Sequence, residues 1–133
     1  MSPLHEAALQ SQYNMVKFLI ENGAKADIES GSNYLLIEGY FKSFYTPLFY
    51  AANSNKDLRI VRYLVSNGAN ANKKVYNELT PLHASASKGV LSIIRYLVEQ
   101  NADINALDSK GETPLSLFNK LKNKNEILKL IKI

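Results

Sequence analysis

A short motif that recurs along the chain constrains the fold more than any other feature. In each copy a Ser or Thr is followed by Pro and Leu, and the four prolines are Pro3, Pro47, Pro81 and Pro114. The copies occupy positions 2–4, 46–48, 80–82 and 113–115. An apolar block follows each of the first three copies, at positions 16–20, 61–65 and 94–98. A unit of this size cannot bury its apolar face alone, so the pattern predicts units that stack on their neighbours.

The residue types predict the structure of one unit. Ser or Thr is a favoured helix N-cap, and Pro is well tolerated at the first helical position because its missing N–H would have no partner there. The apolar block has helical spacing and indicates a second helix. Gly23, Gly68 and Asn101 follow these blocks, where a left-handed C-terminal cap is needed. Each unit is therefore predicted to be two short antiparallel helices and a turn.

The repeat period of about 33 residues and the pattern T-P-L-H-x-A-A, followed later by G-A-D/N-x-N, resemble the ankyrin repeat over nearly the whole chain. The resemblance implies an all-α ankyrin-repeat solenoid of about four stacked helix-turn-helix units, with hairpin fingers between them. It also implies protein binding through the finger tips and the first, inner helices. We expect one domain at residues 1–133, with repeats near 1–28, 46–72, 79–105 and 112–133 and an extended finger insert at 29–45.

The two ends of the array lead to different expectations. Phe118 and Asn119 replace the small Ala pair in the fourth unit, which favours a bulky polar unit that caps the stack. The first helix pair has no preceding finger and is predicted to be uncapped. We expect a monomer, with association through this N-terminal repeat as the alternative.

Several classes of chemistry lack the residues that they need. His5 and His83 are the only histidines and there is no Cys, so no metal-ligand spacing exists; the resemblance implies that both imidazoles tie the turn together by hydrogen bonds. No phosphate-binding glycine motif occurs. We therefore expect no enzyme activity, no catalytic or metal-binding residues and no cofactor.

Charge and hydropathy weigh against nucleic-acid and membrane partners. The net charge of +4 lies in residues 120–133, which contain five Lys and one Glu, and the rest of the chain is balanced. A Lys-rich terminal helix is typical of a solvated surface, and no apolar run is long enough to span a bilayer. The expected partner is another protein.

Three groups of residues are predicted to bind that partner. The insert is rich in aromatic and aliphatic side chains, which favours an interface, although internal packing of the insert is the alternative. The insert contributes Tyr34, Leu36, Tyr40, Phe41, Phe44 and Tyr45. The finger tips contribute Tyr76, Asn77, Leu79, Ser109 and Lys110. The ends of the inner helices contribute Asn53, Ser54, Ser87 and Lys88.

The predicted function is a protein-protein interaction module, either a scaffold or an adaptor. The chain is rich in Asn, Lys, Ile and Tyr, which have A/T-rich codons, and this favours a microbial or viral effector directed at a host. We expect an intracellular, cytoplasmic location. Two alternatives stay open: a substrate-recruiting or regulatory domain of a larger enzyme outside this chain, and a structural spacer.

Overall fold

The helices of the solenoid are short and follow one another closely. A computed structural model describes residues 2–28, 45–54 and 57–131, with side chains described as far as residue 123. These residues form seven α-helices and one 3-10 turn at Tyr76–Glu78. The helices are α1 Pro3–Leu9, α2 Tyr13–Glu21, α3 Pro47–Ser54, α4 Leu58–Ser66, α5 Pro81–Lys88, α6 Leu91–Glu99 and α7 Pro114–Ile131.

The helices form two layers. Each inner helix packs against the outer helix that follows it, as α1 does with α2, α3 with α4 and α5 with α6. The inner layer stacks in the order α1, α3, α5, α7, and the outer layer in the order α2, α4, α6. No strand occurs within the described residues. The predicted all-α repeat solenoid is confirmed.

The predicted helix caps are formed in every copy of the motif. A side-chain oxygen of each N-cap accepts a hydrogen bond from the backbone N–H three positions further on, with distances of 3.2 to 3.3 Å. These N-caps are Ser2, Thr46, Thr80 and Thr113. The residues predicted to be left-handed have positive φ: 100° at Gly23, 102° at Gly68 and 65° at Asn101. The motif therefore fixes where the four inner helices begin, and a left-handed residue follows each of the outer helices α2, α4 and α6.

The core lies between the two layers. Leu4, Leu48 and Leu82 of the motif are almost fully buried, as are most of the small residues behind them. Leu64 and Leu97 of the outer helices are fully buried as well. Phe18 of α2 is 58% exposed, because α2 is the first helix of the outer layer and packs only with α1 and α4 among the described helices.

The fourth unit differs from the others because its two predicted helical halves form one helix. Ser11 and Gly89 hold equivalent positions after the Pro of their motifs and break the chain with φ of 57° and 73°. Lys122 holds the same position after Pro114. Lys is a good helix former with no preference for positive φ, so α7 continues for 18 residues.

Candidate functional site

Two finger turns project from the stack, one between α4 and α5 and one between α6 and α7. The backbone N–H of Val75 donates to the carbonyl of Leu79 at 2.8 Å, and the N–H of Asp108 donates to the carbonyl of Glu112 at 3.0 Å. Each bond closes a tight turn at the tip of a finger. The predicted hairpin fingers therefore occur at these two sites in compact form.

The two finger tips are joined to each other. The backbone N–H of Ser109 donates to the carbonyl of Asn77 at 2.8 Å, so neighbouring turns form one ledge. Asn77 and Glu78 both have positive φ, 63° and 61°, a conformation that Asn tolerates better than Glu. The carboxylate of Asp108 accepts from the backbone N–H groups of Lys110 and Glu112, both at 2.9 Å. The ledge is thus held by backbone conformation and local hydrogen bonds before any partner binds.

A buried imidazole anchors the second finger turn to α5. His83 is fully buried, and its Nε2–H donates to the carbonyl of Glu112 at 2.9 Å. Its Nδ1 accepts from the backbone N–H of Thr80 at 3.2 Å and lies 2.8 Å from the Thr80 hydroxyl, which fixes the proton on Nε2. Burial is the main cause that lowers the pKa of His83, so the ring is neutral at neutral pH.

His5 makes the equivalent contacts in the first repeat. Its Nδ1 accepts from the backbone N–H of Ser2 at 3.2 Å, and its Nε2–H donates to the carbonyl of Tyr45 at 2.9 Å. The role that the family resemblance implied for both histidines is confirmed. In the second repeat, Phe49 holds this motif position and has no ring nitrogen to offer.

A cleft lies between the ledge and the inner helices α3 and α5. Its volume is about 230 Å³, and its wall combines apolar groups with polar side chains. Six of the predicted partner-binding residues line it, drawn from two helices and two finger turns. These six are Asn53, Asn77, Leu79, Ser87, Ser109 and Lys110.

Phe49 and Leu117 also line the cleft, and sequence reasoning missed both. Leu117 lies at the third position after the motif Pro, where the other repeats have Glu6, Tyr50 and Ala84. The residue type at this position differs in every repeat. This variation between repeats could have predicted that the position lies at the surface.

The remaining predicted residues have varied surroundings. Tyr45 is half-buried, with ring centroids 5.4 Å from Phe49 and 5.5 Å from Tyr50, so it takes part in internal packing. Ser54 is half-buried, and its hydroxyl donates to the carbonyl of Ala51 at 2.9 Å. Lys88 is exposed at the end of α5, and Tyr76 is 37% exposed at a finger tip. Tyr34, Leu36, Tyr40, Phe41 and Phe44 lie outside the described residues, and their role stays a prediction.

The cleft offers shape and hydrogen bonding. Its imidazole is neutral and its two ring nitrogens are both engaged, while Glu112 forms an ion pair with Lys120. Among the described side chains, no group of three or more His, Asp or Glu could hold a metal ion. Within the same part of the chain, no helix is long and apolar enough to cross a membrane. The cleft therefore combines apolar contact area with hydrogen-bonding groups.

The chain is similar in sequence to several known proteins that contain ankyrin repeats. The chain is 28% identical to an ankyrin repeat protein of fowlpox virus over 98% of its length. It is 37% identical to the human ankyrin repeat and SOCS box protein 16 over 85% of its length, and 30% identical to a mouse B-cell lymphoma 3 protein homolog over 86%. The chain spans 20%, 22% and 23% of the length of these relatives, respectively.

Family models agree with these relatives and with the fold. A model of three ankyrin repeats matches residues 48–132, and a model of one ankyrin repeat matches residues 1–32. The chain therefore belongs to the ankyrin-repeat family, whose repeats form protein-interaction modules.

Proposed function

We propose that this chain is an adaptor that binds a segment of another protein in the cleft between the finger ledge and α3 and α5. The observation that carries the proposal is the convergence of six predicted residues on one cleft. These residues come from sequence positions as far apart as Asn53 and Lys110, and the stacking of repeats brings them together. A concave wall of mixed polarity is typical of a site that orients a peptide through a few polar groups.

The rigidity of the ledge supports this proposal. The bond from Ser109 to Asn77 and the imidazole contact from His83 to Glu112 hold both finger turns in place. A surface that is ordered before binding loses less conformational entropy when a partner arrives. The polar backbone of the ledge is therefore presented to a partner in one conformation.

The insert is proposed as a second contact that extends the cleft. Tyr40 and Phe41 belong to a segment that the repeat itself does not need, since the interval from Pro3 to Pro47 is longer than either interval that follows it. Aromatic anchors of this kind often dominate the affinity of an interface.

The proposed setting is the cytoplasm, where the protein acts as a microbial or viral effector on a host protein. The abundance of residues that have A/T-rich codons and the similarity to a fowlpox virus protein support it. The second candidate is a recruiting domain of a larger enzyme; the matched relatives are several times longer than this chain, which is compatible with a domain of a larger protein.

The test replaces one cleft side chain and one matched side chain elsewhere. Ser87 is exposed at the end of α5, and its hydroxyl donates to the carbonyl of Ala84 at 2.8 Å. Ser66 is exposed at the end of α4, and its hydroxyl donates to the carbonyl of Tyr63 at 3.0 Å. Because both sites have the same local structure, Ser87→Arg and Ser66→Arg should perturb folding equally, and only Ser87→Arg fills the cleft.

Partners are captured on the immobilised wild-type chain, identified by mass spectrometry and then measured against both variants. We expect Ser87→Arg to weaken the binding of a specific partner by about 30-fold or more, while Ser66→Arg retains it. Tyr40→Ala with Phe41→Ala should weaken the same partner without lowering the melting temperature. Equal binding by both Arg variants would show that the partner uses another surface.

A further inference from the structure

An apolar groove separate from the cleft lies between α6 and the start of α7. Leu91, Val98 and Leu115 line it and are 60%, 43% and 64% exposed. Ile104, in the turn after α6, adds a side chain that is 56% exposed. Apolar side chains therefore face solvent at the start of the fourth unit, and the predicted polar cap does not cover them.

The groove continues the outer layer of helices. In that layer α4 packs on α2 and α6 packs on α4, so each outer helix is covered by the next one. Within the described residues, no further outer helix follows α6, since α7 packs against α5 in the inner layer. The groove has the position that a fourth outer helix would occupy.

The end of the chain has the sequence of such a helix. When the repeats are aligned on the Pro of each motif, the apolar residues of α2 and α6 coincide: Val16 with Ile94, Leu19 with Leu97, and Ile20 with Val98. In the fourth unit the same positions, counted from Pro114, hold Ile127, Leu130 and Ile131. Sequence analysis missed this register because the many Lys residues around it indicated a solvated helix.

This segment cannot reach the groove of its own chain while α7 stays continuous. A Cβ added to Gly89, at the end of α5, would lie 2.8 Å from Cδ2 of Leu121. Leu121 therefore marks the point where α7 passes the end of its inner neighbour. The residues from 122 to 131 extend the helix by about 15 Å, at 1.5 Å per residue, away from the groove at its other end.

We propose that a second copy of this chain fills the groove, with residues 124–131 of each α7 packed on α6 of the other copy. Inner and outer helices of one repeat are antiparallel, so two continuous α7 helices related by a two-fold axis would reproduce that pairing twice. The first half of each helix then lies against the second half of the other. The result is a closed, symmetric, swapped dimer.

Lys122 is the residue at which α7 continues where the first and third repeats turn, so it favours the swapped dimer over a monomer. Gly89 breaks the chain at the equivalent position of the third repeat and lets α6 turn back onto α5. Lys122→Gly should restore this break and let residues 124–131 cover the groove of their own chain. The substitution thus exchanges the dimer for a monomer with the same contacts.

The first test is the mass of chain 1–133 by light scattering during gel filtration, over a wide range of concentration. We expect a dimer for the wild type, a monomer for Lys122→Gly, and dimerisation weakened by about 30-fold or more in Val98→Glu. Phe18→Glu is the matched control, since Phe18 is also exposed on the outer layer but lies on α2. It should leave the dimer intact and thereby exclude association through the N-terminal repeat.

The second test locates the contact. The chain has no Cys, so single-cysteine variants can be mixed without background. Val98→Cys mixed with Leu130→Cys should give a cross-linked pair with a short bifunctional maleimide, and Phe18→Cys mixed with Leu130→Cys should not. A wild-type monomer at all concentrations, a dimer that survives Val98→Glu or Lys122→Gly, or loss of the dimer in Phe18→Glu would each overturn the proposal.

Discussion

The imidazole of His83 is predicted to contribute more to stability than the aromatic ring at the same motif position one repeat earlier. His83→Leu retains an apolar side chain of moderate size and removes both ring nitrogens. The structure then lacks the donor to the carbonyl of Glu112 and the acceptor for the N–H and hydroxyl of Thr80. The finger turn at residues 108–112 loses its side-chain tie to α5.

The magnitude follows from these contacts. Nδ1 has one lone pair, which the two groups of Thr80 share, so two hydrogen bonds are lost in effect. At about 1 kcal/mol net for each bond, and with more where a buried group keeps no partner, His83→Leu should cost about 2–4 kcal/mol. Phe49→Leu is the matched change at a site that is 6% exposed, and its nearly conserved volume should cost less than about 1.5 kcal/mol.

Urea unfolding followed by circular dichroism measures both free energies of unfolding. Hydrogen exchange at the amide groups of Lys110 and Glu112, which donate to Asp108, reports the local effect in the same proteins. Faster exchange is expected in His83→Leu and not in Phe49→Leu. Equal losses of stability with unchanged exchange would refute the argument that the imidazole anchors the finger.

Two further predictions concern the same packing. Burial lowers the pKa of His5 and His83 below 6.5, so both are neutral in the native state, and the unfolded chain binds protons first as the pH falls. The urea concentration at the unfolding midpoint should be constant above pH 6.5 and should fall below it until the native pKa values are passed. The fall should be smaller in His83→Leu. A midpoint that rises on acidification would contradict this. Leu97→Ala removes a fully buried side chain and should cost about 2–5 kcal/mol, whereas Val98→Ala beside it, at 43% exposure, should cost clearly less. Equal losses in these two urea titrations would show that burial does not decide the cost.

The parts of the fold that local chemistry dictates could be predicted from the sequence. Thr80 and His83 form a capping box, in which each residue satisfies the other within one short stretch of chain. Gly68 and Asn101 end their units because few other residues adopt positive φ at low cost. Once each unit is known, stacking follows, because no unit can bury its apolar face alone.

The sequence carries only a weak indication that α7 is continuous. A break needs a residue that accepts positive φ, and Ser11 provides one although Ser is not strongly biased toward it. Lys122 favours the helix by only a fraction of a kcal/mol over such a residue. Whether the chain turns or continues there depends on what packs against the second half, which the repeat pattern alone does not specify.

The cleft lies beside the hydrogen bonds that the histidines make to the finger turns, so the same contacts bear on stability and on recognition. His5 and His83 join the first and third inner helices to the finger of the following repeat, but the second repeat has Phe49 at this position. The carbonyl of Leu79, at the equivalent position, accepts from the N–H of Val75 in its own turn, as that of Glu112 does from Asp108, but Phe49 offers it no imidazole donor. The first side of the ledge is therefore held by its backbone and by the bond from Ser109, while the second is tied to a helix. Because the cleft lies between the ledge and the helices α3 and α5, a peptide bound there as proposed would contact both Asn53 of α3 and Asn77 of the first finger turn. It would then supply across the second repeat the connection that an imidazole supplies in its neighbours.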